Sequence, residues 1–139
     1  MRKLIFSLVL LAAAAQANAV CTQGSMAGNW QLYYQEYFCT LSLASNGKIR
    51  SGNCTFQERP GSGDNIVYPI SGGRINMKTN CRVAGNINFS GNNPFTEPFK
   101  MQITQSRTRK DTQYWSGAAW HTTRERTDTF HAVRVGRHN

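Results

Sequence analysis

Beyond about residue 20, apolar positions alternate with polar ones and no window holds an apolar face at a 3.6-residue period, which selects strands over helices. Eight such runs recur, separated by turn chemistry roughly every ten residues, the spacing of all-β folds. The first is expected over 28–35, with Trp30, Leu32 and Tyr34 on one face. The second covers 38–44, where Leu41 and Leu43 alternate with Thr40 and Ser42. Asn46-Gly47 turns the chain into a third strand at 48–56, because both residues tolerate the positive φ of tight hairpins. A polar loop over 57–65, containing Pro60-Gly61-Ser62-Gly63-Asp64, is the longest irregular stretch and the expected mobile rim. A fourth strand at 70–78 pairs through Thr79-Asn80 with a fifth at 81–89, and Gly91-Asn92-Asn93-Pro94 breaks the chain before a sixth at 98–108. Arg109-Lys110-Asp111 leads into a seventh at 113–120, and 121–125 connects to the eighth at 126–135.

Strands joined in order by short turns imply an all-β fold, an eight-stranded antiparallel up-and-down β-barrel, because closure leaves no edge unpaired. A two-sheet β-sandwich is the alternative. A barrel of eight strands is either filled by its side chains or holds one small ligand. Trp30, Leu32, Tyr34, Leu41, Leu43, Ile75, Met77, Val83, Ile87, Phe89, Met101 and Ile103 suffice to fill a small one, so the pattern leans to a filled interior. Gly85 and Gly117 within strands mark bends or places where aromatic rings lie against the backbone.

The first 20 residues break this pattern. Arg2 and Lys3 precede an apolar run from Leu4 to Ala15, and Ala17-Asn18-Ala19 has the small residues that a signal peptidase reads. The run is too short for a membrane span, which needs roughly 20 residues. Cleavage after Ala19 of the 139-residue chain leaves a single domain at 20–139, with the formal charge falling from +9 to +7 as Arg2 and Lys3 are lost. The expected location is the periplasm or the exterior. Cys21, Cys39, Cys54 and Cys81 then form two disulfides in an oxidising compartment. They lack the close Cys-x-x-Cys pair and neighbouring histidine of a zinc site. A two-residue Asn46-Gly47 turn places Cys39 opposite Cys54, whereas the apolar alternation of Leu43 with Ile49 prefers a register one residue different. The balance leans to Cys21–Cys39 with Cys54–Cys81.

Gly28-Asn29-Trp30 at the first strand resembles the Gly-x-Trp that opens barrels of the lipocalin and avidin type, the calycins. Tyr114-Trp115-Ser116-Gly117 is similar to the Trp-Ser-Gly strand of avidin-like proteins, and Phe130-His131-Ala132-Val133-Arg134 ends where such barrels place an arginine over the first tryptophan. A Gly-x-Trp strand soon followed by a cysteine also resembles small periplasmic metalloprotease inhibitors. These motifs cover about a dozen residues, a short signal on which to carry over an architecture. The resemblance implies a barrel with Trp30 buried near its closed end against Arg134 or its strand. It transfers no ligand, since the polar constellation that avidin-like barrels use for biotin has no counterpart here.

Chemistry-bearing residues are few. His121, His131 and His138 show no metal spacing, and the chain has neither a Gly-x-Ser-x-Gly elbow nor a phosphate-binding glycine loop. Glu125 and Asp128, among arginines, read as surface pairs. Neither cofactor nor metal is implied, and an unrecognised hydrolase is the least favoured reading. Two sequons, Asn53-Cys54-Thr55 and Asn88-Phe89-Ser90, read as chance behind a bacterial-type leader. Basic residues cluster instead: Arg107, Arg109 and Lys110 at one turn, Arg124 and Arg126 at another, and Arg134, Arg137 and His138 near the end. The turns at 109–111 and 91–94 are expected to share one end of the barrel, with 121–125 at the other. These clusters are either a solvated surface or a site for an anionic envelope polymer, extracellular nucleic acid or acidic protein. Neighbours on a strand face opposite ways, so one of Tyr33/Tyr34 and one of Tyr114/Trp115 faces outward, available to stack on a sugar or base. The expected function is therefore a non-catalytic binding module for an anionic macromolecule, through Arg107, Arg109, Lys110, Arg124, Arg126, Tyr114 and Trp115, or an inhibitor. The alternative is a carrier of a small apolar or amphipathic ligand, which needs an internal cavity of about 300 Å³ or more.

Overall fold

In the computed structural model the described residues are 21–34, 37–57, 65–109, 112–121 and 126–135. The proposed leader at 1–19 lies outside them, as do most of the expected polar loop, Lys110, Arg124 and Arg137. A short 3-10 helix, Gln23–Met26, leads into eight strands: β1 Gly28–Tyr34, β2 Tyr37–Leu43, β3 Ile49–Gln57, β4 Asn65–Met77, β5 Arg82–Phe89, β6 Phe95–Arg109, β7 Thr112–His121 and β8 Arg126–Arg134. Each pairs antiparallel with the next and β8 returns to β1, which closes the up-and-down barrel expected from the alternation. No helix among the described residues is long and apolar enough to cross a membrane.

Side-chain alternation carries straight through to burial. Trp30, Leu32 and Tyr34 on β1 face inward with Cys39, Leu41 and Leu43 on β2, and Ile75, Met77, Val83, Ile87, Phe89 and Ile103 continue the core, with Met101 half-buried against it. Cys21, Met26, Ile49, Cys54, Ile70, Phe99, Trp115, Ala119, Phe130 and Ala132 complete it. At Gly85 and Gly117 neighbouring backbone leaves no room for a side chain. A Cβ there would run into the carbonyl of the neighbouring strand, Arg74 and Gln102 respectively, rather than into a ring.

β4 and β6 begin earlier than the sequence suggests, and both times a proline hid the extension. Pro69 lies one residue beyond the last β4–β5 pair, Ile70↔Phe89, and Pro98 one residue beyond the last β6–β7 pair, Phe99↔His121. Each proline thus stands past the last register pair on one flank, where a missing ladder N–H is tolerated, and the Pro69 carbonyl still accepts from the Ser90 N–H at 2.8 Å.

The two registers considered for β2–β3 both exist, on either side of a bulge. Leu43 pairs with Ile49, the register then shifts, and Ser42↔Ser51 begins the run that brings Cys39 opposite Cys54. The disulfides are therefore Cys39–Cys54 and Cys21–Cys81, not the pairing favoured from sequence. Treating the register as uniform along the hairpin caused that error. Cys21–Cys81 ties the segment ahead of the 3-10 helix to the β4–β5 turn, where Cys81 adopts a positive φ of 62°.

Strand direction sorts the connections into two ends. The 44–48 and 78–81 turns and the β6–β7 connection share the lower end with the 3-10 helix, while 90–94 shares the upper end with the β7–β8 connection. The expectation that 91–94 and 109–111 lie together is thus corrected. They flank the single strand β6, and successive turns of an up-and-down barrel fall at opposite ends.

Candidate functional site

The lower end is plugged. Trp30 is 3% exposed, stacks on Trp115 with ring centroids 4.1 Å apart, and donates its indole N–H to the Met26 carbonyl at 2.7 Å. Arg134, the β8 partner of Trp30, holds its guanidinium 6.0 Å from that ring and donates to the carbonyls of Ser25 at 3.4 Å and Ala27 at 3.5 Å. Gln23 clips the 3-10 helix to β4, its amide donating to the Ile75 carbonyl at 2.9 Å and its side-chain oxygen accepting from the Met77 N–H at 2.7 Å. Gly47 tightens the same end, its carbonyl accepting from the Ile75 N–H at 2.8 Å. Only about 50 Å³ of apolar space remains among these side chains.

The upper half is different. A cavity of about 220 Å³ lies there, with Leu32, Ile87, Phe99, Met101, Ala119 and the Cys39–Cys54 disulfide along its walls. Tyr34, Tyr37, Tyr68, Phe89, Phe95, Glu97 and Trp120 complete the lining toward the end of the barrel. Phe89 and Phe95 stack at 4.6 Å, and Tyr68 meets both edge-on, at 6.1 and 5.7 Å. Three phenols and a carboxylate thus accompany an apolar interior. The Tyr34 hydroxyl donates to Asp128 at 3.3 Å, which brings this carboxylate to the wall of the upper half.

No family model matches the chain, and no curated protein or solved structure does.

The residues singled out from sequence do not form one site. Arg107 is exposed and is the register partner of Tyr114, so these two adjoin on the outer wall near the lower end. The Tyr114 hydroxyl lies 2.6 Å from His131 Nδ1 and the two rings are nearly parallel, so this tyrosine is already engaged. Trp115 is 5% exposed inside the barrel and offers no outer surface for stacking. Arg126 begins β8 at the upper end, far along the barrel from Arg107, while Arg109 closes β6 at the lower end. The side chains of Arg109 and Arg126 fall outside the described residues, as do Lys110 and Arg124 entirely. Among the described residues no group of three or more His, Cys, Asp or Glu gathers as metal ligands.

The cavity residues that sequence reasoning missed are Tyr37, Tyr68, Phe95, Glu97, Phe99 and Ala119. Phe95, Glu97, Phe99, Met101 and Ile103 repeat with period two, and this alternation was the available signal.

Proposed function

We propose that this protein is a non-catalytic binding barrel whose upper cavity takes one small apolar or amphipathic molecule, in an exported, disulfide-bonded form. The observation that supports it best is the difference between the two halves of the interior. An aromatic-lined space of about 220 Å³ lies above a plugged floor, whereas a barrel built only for stability fills both halves. That volume exceeds the roughly 150 Å³ of an engineered apolar cavity that binds benzene. It falls short of the about 300 Å³ expected above for a carrier, the size at which drug-sized pockets begin. The ligand class is accordingly a single ring or a short chain, its apolar part against Leu32, Ile87 and Phe99 and its polar end near the phenols and Glu97. Two disulfides support an oxidising location, the periplasm or the exterior. An anionic macromolecule at the Arg107 turn ranks behind this reading, because Trp115 is interior and Tyr114 is engaged with His131.

Thermal-shift and ligand-observed NMR titrations with single-ring phenols and short-chain fatty acids test it, using Ala119→Leu as the control. Ala119 is 3% exposed and lines the cavity, so the larger side chain occupies ligand space. A binder should stabilise the wild type by about 2.7 kcal/mol at a hundredfold excess over its Kd, and the variant should lose that gain. A panel without binders, or binding unaffected by Ala119→Leu, overturns the reading.

A further inference from the structure

A second broad concavity lies outside the barrel. A trough of about 730 Å³ crosses the outer wall from the end of β4 to β8, flanked by the exposed cations Lys78, Arg82 and Lys100 and by Trp120, which is 50% exposed. The sheet register builds it. One row runs Ala84, Lys100, Trp120, Thr127 across β5 to β8, and the next runs Arg82, Gln102, Ala118, Thr129. Lys78 adjoins Arg82 across the β4–β5 turn, with its N–H donating to the Arg82 carbonyl at 2.8 Å. Arg82 and Lys100 are diagonal neighbours across the β5–β6 pair, a spacing of about 7–8 Å. Ala84 and Ala118 keep the floor low between the cations and the indole.

The charge here is one-sided. None of the lining residues is acidic. The two carboxylates among the described residues both serve the interior, Glu97 lining the upper cavity and Asp128 accepting from Tyr34. A large aromatic left half-exposed beside three cations is more informative than a scattered surface apolar residue. A positive groove that tracks a backbone, with an aromatic on which a base stacks, is the general chemistry of sequence-tolerant single-strand binding.

We infer that the outer face of β4–β8 binds single-stranded nucleic acid, with Lys78, Arg82 and Lys100 on the phosphates and Trp120 stacked on a base. This site adjoins the interior one across the wall: Met101, Ala119 and Trp120 line both, whereas the three cations line only the trough.

Fluorescence anisotropy with a labelled dT12 oligonucleotide at several salt concentrations tests the assignment, with a heparin fragment as a polyanion lacking bases. Three phosphate contacts predict that log K falls with log salt at a slope of about −2 for the wild type. Arg82→Ser with Lys100→Ser removes two contacts and should bring the slope to about −0.7. Trp120→Ala should weaken dT12 roughly tenfold through lost stacking and leave heparin binding unchanged. Arg107→Ser, on another part of the outer wall, should leave the dT12 affinity within about twofold. Absence of dT12 binding at 50 mM salt overturns the inference. So does a Trp120→Ala protein that binds dT12 as the wild type does, or an equal loss from Arg107→Ser, which would mark diffuse charge attraction. Tighter binding of heparin than of dT12, with no effect of Trp120→Ala on either, would assign the trough to anionic glycans instead.

Discussion

Replacing Trp30 with alanine should destabilise the protein by about 4–6 kcal/mol. Emptying a core aromatic site costs about 3–5 kcal/mol, and Trp30 is 3% exposed with the Trp115 ring 4.1 Å away. The Met26 carbonyl loses its indole donor as well, which adds about 1 kcal/mol if no water replaces it. Such a sum approaches the whole stability of a small domain, about 5–15 kcal/mol, so the alanine variant is expected to be largely unfolded at 37 °C. Trp30→Phe gives a readable second measurement. It keeps most of the ring stacked on Trp115 and removes the N–H, for an expected loss of about 1–2 kcal/mol, or about 4–8 °C in Tm for a chain of this size. Arg134→Met tests the other side of the plug, because it keeps an apolar stem and removes the donors to Ser25 and Ala27. The Trp30→Phe and Arg134→Met effects should be non-additive by about 0.5 kcal/mol or more, as both act on the seat of the 3-10 helix. Urea and thermal denaturation followed by circular dichroism measure the wild type, the three single variants and the Trp30→Phe/Arg134→Met double variant. A Trp30→Ala protein that melts within 2 °C of the wild type would refute a plugged lower end, and additive losses would refute the shared seat.

The remaining expectations concern the staples and one turn. Peptide mapping without reduction should recover Cys21 linked to Cys81 and Cys39 to Cys54, and a Cys21–Cys39 peptide would contradict the β2–β3 register. With sequence separations of 60 and 15, chain entropy assigns about 4 kcal/mol to Cys21–Cys81 and about 3 kcal/mol to Cys39–Cys54. Paired alanine variants in urea melts should keep that order, and the reverse order would show that loop closure is not the controlling effect. Gly47→Ala should cost about 1–3 kcal/mol, because φ is +81° and the new Cβ meets the Ile75 carbonyl and the Gln23 amide. An unchanged Tm there would mean that the turn does not press on β4.

What the sequence conveyed well was anything decided by local alternation. Trp30-x-Leu32-x-Tyr34 and Leu41-x-Leu43 can face only one way once one face is buried, so the barrel, its strand count and most of its core follow from period two. What it conveyed poorly depended on where a neighbouring strand stops. The β2–β3 bulge is one such case. The pairs Leu43↔Ile49 and Cys39↔Cys54 look incompatible until one extra residue is allowed between them, and nothing local to either pair announces that residue.

The cavity was hidden for the same reason. Its upper wall includes Tyr68 from the early part of β4 and Phe95 and Glu97 from the early part of β6, all ahead of Pro69 or Pro98. A proline within an apolar alternation reads as a strand boundary, so these residues seemed to belong to loops. In the barrel each proline stands just past the last ladder pair on one flank, and the strands continue beyond it. Those extensions raise the wall above the level that the central core residues fill. Space is therefore left at the upper end, whereas the lower end receives the 3-10 helix and the Trp30–Trp115 stack. Tyr68, Phe95 and Glu97 thus join the cavity lining from strand segments that lie beyond a proline.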